Sequence, residues 1–175
     1  MAMSNEDRLR VDPSKLKGLA DTEFRAPDLI GAVEGWRAWH VLREPPPYGT
    51  TPRLESVTWS YYWAPRVKAA ASCSKGEDHV PGEHCTCGFY TAKTLAHLRD
   101  MGYHSYDENS GRVCVVGRIA NWGKVIEGTQ GWRSEFAYPV QLYVPFEAYR
   151  LAKPLSNAYG VPVKLLNLLD PDSQP

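Results

Sequence analysis

The chain has 175 residues, 43% apolar and 23% charged, which places it among ordinary globular proteins and excludes a disordered chain. Twenty basic and twenty acidic residues cancel, so no surplus charge exists for general nucleic-acid binding. Six Trp and ten Tyr are the one compositional excess, rings that fill a core, stack on a base or anchor a partner.

Residues 1–27 are polar, with thinly spaced Leu9, Val11, Leu16 and Leu19, and read as a flexible or partly helical arm. Ser14 after Pro13 suits a short helix cap there. No apolar run is long enough to span a bilayer, and the stretch 1–12 lacks the apolar middle of a secretory signal. The expectation is a soluble cytoplasmic protein, where disulfides are rarely kept.

One domain is expected over 28–165, with a tail at 166–175. Residues 36–42 alternate, are rich in aromatic and branched side chains, and read as a strand stopped by Pro45–Pro47. A second strand at 53–58 can pair back on it, and 67–72 reads as a third, after the aromatic group Trp59, Tyr61, Tyr62 and Trp63. The clearest helix covers 91–101, capped by Thr91 and closed by Gly102. Residues 112–120 are the most strand-like stretch, continued after a bend by 122–127, with Gly117 and Gly123 marking bulges or curvature. Strands at 132–138 and 140–144 flank Pro139, and 146–160 reads as helical pieces broken at Pro154, before an extended 161–163. The fold class is therefore α+β: a small curved, mostly antiparallel sheet or partial barrel with helices packed outside.

Between these elements lies a Gly/Pro-rich loop holding Cys73, Cys85 and Cys87, with His79 and His84 among them. Three thiolates and one imidazole make a tetrahedral zinc set, and the expected ligands are Cys73, His79, Cys85 and Cys87. Four protein ligands close the site, so the zinc is expected to be structural. The zinc-deaminase pattern is missing, since Gly82-Glu83-His84-Cys85-Thr86-Cys87 does not match it. Free thiols and a disulfide are the competing readings. Cys114, in the Val-rich strand, reads as core.

No nucleophile elbow, phosphate loop, H-E-x-x-H or EF-hand motif occurs, and His97 and His104 have no recognisable partners. A non-enzymatic protein is the expectation. Arg118, Trp122, Arg133 and Glu135 lie on neighbouring strand segments, where a shared face offers a ligand or partner site; cross-strand ion pairs are the plainer reading.

The run Cys85-Thr86-Cys87-Gly88-Phe89-Tyr90, then Val115 to Val125, Gly131-Trp132-Arg133-Ser134-Glu135 and Tyr159-Gly160-Val161-Pro162-Val163, resembles a group of uncharacterised actinobacterial and actinobacteriophage proteins. Asn121 departs from its pattern, which favours an aliphatic residue. The resemblance implies a shared fold, favours His79 over His84 as ligand through His79-Val80-Pro81, and supplies no activity. It points to a phage gene product acting on a bacterial host. The leading expectation is a zinc-stabilised domain binding a protein partner, plausibly a host factor. A reader of a nucleotide or modified base through an aromatic-lined pocket is the alternative, and a small-molecule enzyme is third.

Overall fold

The computed structural model describes residues 31–42, 51–76, 80–82, 84–103, 111–167, 170 and 175. The expected N-terminal arm and its short helix lie outside them, as does His79. Among the described residues no helix is long and apolar enough to cross a membrane.

The strands are β1 (Val33–Leu42), β2 (Leu54–Ser56), β3 (Tyr62–Trp63), β4 (Ala69–Ala70), β5 (Phe89–Ala92), β6 (Arg112–Glu127), β7 (Gly131–Val144) and β8 (Val163–Leu165). Helix α1 (Leu95–Asp100) follows β5; a 3-10 segment (Phe146–Leu151) and helix α2 (Ala152–Tyr159) follow β7. The long β6–β7 hairpin is the spine. β1 pairs along β6 from Val33↔Asn121 to Leu42↔Arg112, and β5 pairs with β7 from Phe89↔Ser134 to Ala92↔Gly131. A single pair, Trp36↔Ala92, joins β5 to β1, so β1, β6, β7 and β5 make a partial ring. All these pairings are antiparallel; β8 alone runs parallel, to β7.

β6 passes unbroken through the expected bend, with register shifts at Arg118/Ile119 and Trp122/Val125. Gly123 sits at the second shift with φ +74, and a Cβ there would lie 2.6 Å from Glu135 Oε2. Only glycine permits that bend. β7 likewise runs through Pro139, whose missing N–H is tolerated beside the first shift, opposite Ile119.

Two clusters of apolar side chains pack on the sheet. The larger holds Trp39, Trp63, Phe89, Ile119, Tyr138 and Leu155. Trp39 and Trp63 meet edge-on at 5.5 Å, and Phe89 lies 5.0 Å from Trp63. The smaller joins Leu95 and Leu98 of α1 to Ala38, Ala92, Val116 and Tyr143.

Both helical expectations change. The helix expected at 91–101 begins only at Leu95: Thr94, not Thr91, caps it, accepting from the His97 N–H at 3.2 Å. Residues 89–92 pair as β5 instead, because the ladder to β7 outweighs local helix preference. Pro154 does not break the tail. It lies in the first turn of α2, where its missing N–H has no intrahelical acceptor, and the change of helix type falls at Leu151/Ala152.

Candidate metal centre and adjoining cavity

One edge of β7 explains how cysteines distant in sequence meet. β4 docks there through Ala69↔Ala137 and Ala70↔Phe136, and the Ala71 N–H donates to Glu135 O at 2.8 Å. β5 docks at the adjacent positions, Phe89↔Ser134 and Tyr90↔Arg133. The loop between them therefore leaves and rejoins β7 almost at one point. Cys73 just after β4 and Cys85 and Cys87 just before β5 are brought together.

Their three Sγ atoms lie within 4.8 Å of one another, a set that can hold a metal ion. Cys85 and Cys87 are at disulfide distance from each other, and Cys73 is free. Cys85 is buried and the other two are partly so. His84 is exposed and outside this cluster.

Arg133 holds the loop in place. Its guanidinium donates to the carbonyls of Cys85 at 2.6 Å, Cys87 at 3.1 Å and Gly82 at 3.3 Å. Gly82 N–H donates to Cys87 Sγ at 3.4 Å, and Tyr90 Oη to Thr86 O at 2.8 Å. Gly88, at φ +114, lets the chain turn into β5; a Cβ there would lie 3.1 Å from Pro81 Cβ.

Arg133 also lines a cavity of about 470 Å³. Its walls come from β1, β5, α1 and the β6–β7 turn, and include Trp36, Tyr90, Tyr103, Trp132, Arg37 and His97. That volume is in the range of small-molecule sites. Arg37 reaches across the gap where β1 and β5 diverge, donating to Tyr90 O at 2.5 Å and Ser56 Oγ at 3.0 Å. Its guanidinium lies over the Trp63 ring, 5.2 Å from the centroid. Burial pulls it down to about 10 from 12.5, partly opposed by Tyr103. It stays charged at neutral pH, yet its Nε has no hydrogen-bond partner.

The four residues expected to share one face do not come together. Arg118 forms an ion pair with Glu34 and stands opposite Gln141, eight positions along β7 from Arg133. That is about 26 Å of ladder at ~3.3 Å per residue. Trp122 is 5% exposed and packs on Phe136, its cross-strand neighbour. Alternation puts Phe136 on the opposite side of β7 from Arg133 and Glu135. Glu135 accepts from the Lys124 N–H at 3.0 Å and secures the bend at Gly123. Of these four, Arg133 alone touches both the cysteine loop and the cavity.

Cys114 is core, as its sequence context implies: buried, donating to Tyr103 O at 3.1 Å, its thiol pushed up to about 12 by burial. Asn121 is fully buried and satisfied, donating to Val33 O and Ile119 O and accepting from Ser134 Oγ. The sequence did not place Arg37, Tyr90 and His97 together in a site. The one signal for them was a charged residue, Arg37, within an aromatic strand.

Comparison with protein-family models, with curated proteins and with solved structures finds no match.

Proposed function

We propose that this protein is a non-enzymatic binding domain, a partial barrel with helices outside it, whose zinc knuckle fixes one wall of a small-ligand cavity. Cys73, Cys85 and Cys87 hold the zinc, with His79 as fourth ligand, and the metal is structural. One observation carries the reading: Arg133 lines the cavity and holds three carbonyls of the cysteine loop. A closed thiolate site beside an aromatic-walled cleft suits binding better than hydrolysis, because no position is left open for a metal-bound water.

A second reading, a protein partner such as a bacterial host factor, is favoured by the β2–β3 hairpin, where Trp59 is 83% and Tyr62 54% exposed. Native mass spectrometry separates the two. The cavity reading expects a small molecule on the purified protein that denaturation releases. Ligand-free protein that instead captures a protein from host lysate, and loses it on Trp59→Ala, refutes the cavity reading.

A further inference from the structure

The cavity sets two cations, Arg37 and Arg133, against aromatic walls. Arg37 and Arg133 have neutral oxygens as hydrogen-bond partners and, among the described residues, no carboxylate within ion-pair distance. Among the described residues, the nearby carboxylates are engaged elsewhere. Glu127, the acid on the cavity wall, pairs with Lys93 at 2.6 Å; Glu34 pairs with Arg118, and Glu55 with Arg112 at 3.1 Å. A partly buried guanidinium without a counter-charge is unfavourable unless an anion completes it. Arg37 has the capacity for that: each terminal nitrogen makes one bond to a neutral oxygen and carries a second N–H, the buried Nε has no partner, and a guanidinium matches a carboxylate or phosphate. Around it, Trp36, Tyr90, Tyr103 and Trp132 offer ring faces and edges.

Building on the cavity reading above, we infer that the ligand is a flat aromatic small molecule carrying one anionic group, and that Arg37 receives that group. Carboxylate, phosphate and sulfonate share the required chemistry. The neutral form of the same ring system lacks the one interaction that discharges Arg37, so affinity depends on the charge and not on the ring alone.

Two fluorescent probes test this, 1-anilinonaphthalene-8-sulfonate and N-phenyl-1-naphthylamine, which differ only in the sulfonate. Titrated into zinc-loaded full-length protein, the sulfonate binds one equivalent at least tenfold more tightly than the neutral amine. Arg37→Gln brings the sulfonate to the amine's affinity and leaves the amine unchanged. Should Arg37→Gln not fold, Arg37→Lys decides: losing the planar fork must weaken the sulfonate at least threefold and spare the amine. Unchanged sulfonate affinity in either folded variant overturns the assignment to Arg37. Equal affinity of both probes for the wild type overturns the anionic class and leaves the cavity reading standing. Binding of neither overturns both.

Discussion

Arg133→Gln separates a loop tether from a residue that supports a metal. The guanidinium makes three hydrogen bonds to the cysteine loop, and the short one, 2.6 Å to Cys85 O, carries most of their strength. A hydrogen bond from a charged donor contributes roughly 1.5–3 kcal/mol, and the two longer bonds add less. A shorter glutamine amide recovers little of this, so the net loss is about 2 kcal/mol. If that loss falls on the metal-bound form, where the carbonyls must stay fixed, zinc binding weakens about thirtyfold at 1.4 kcal/mol per decade. That lies within the ten- to hundredfold effect usual for groups that orient metal ligands. The assay is competition for zinc against a chromogenic chelator, with thermal melts of loaded and chelated protein. Unchanged zinc affinity, with both forms destabilised equally, refutes the reasoning and makes Arg133 a plain tether.

Tyr159 is fully buried, and its hydroxyl accepts from Leu54 N–H at 2.8 Å and donates to Trp63 O at 2.7 Å. Tyr159→Phe strands both main-chain groups and costs about 2–4 kcal/mol in urea unfolding; a cost under about 0.5 contradicts this. Burial holds the Cys114 thiol and the Tyr159 hydroxyl up near about 12, against 9.0 and 10.0 for the exposed groups, and raises Tyr138 likewise. The folded state then keeps protons that the unfolded chain releases. Stability is intact below pH 9 and falls between about 9 and 12, by about 1.4 kcal/mol per pH unit for each such group, which urea titrations at pH 8 and 10.5 check. Chelated, folded protein that has met no reductant should show two rapid thiols with a disulfide-exchange reagent, from the partly exposed Cys73 and Cys87, while buried Cys85 and Cys114 stay slow. One rapid thiol in place of two identifies a Cys85–Cys87 disulfide instead, since Cys73 is then the accessible thiol that remains.

The strands were legible because their patterning is local. Alternation at residues 36–42 and the Val-rich run at 112–120 mark β1 and β6 whatever surrounds them. The convergence of the cysteines was legible from composition, since thiols in a Gly/Pro loop favour a shared ion over a core. What placed them, two short strands on one edge of β7, depends on long-range register, which no local pattern encodes. The same limit displaced the start of α1: Thr91 and Thr94 are both good caps, and only the ladder to β7 selects the second. The expected charged face failed for a related reason, because proximity in sequence does not specify which side of a twisted hairpin each residue occupies. The cavity was invisible, being assembled from separate segments that carry no shared motif.

The most direct test of the central claim is the metal content of protein purified under reducing conditions without added metal, with X-ray absorption at the zinc edge. One zinc per chain in a shell of three sulfurs and one nitrogen is the expected result. A folded protein that carries no zinc would contradict it.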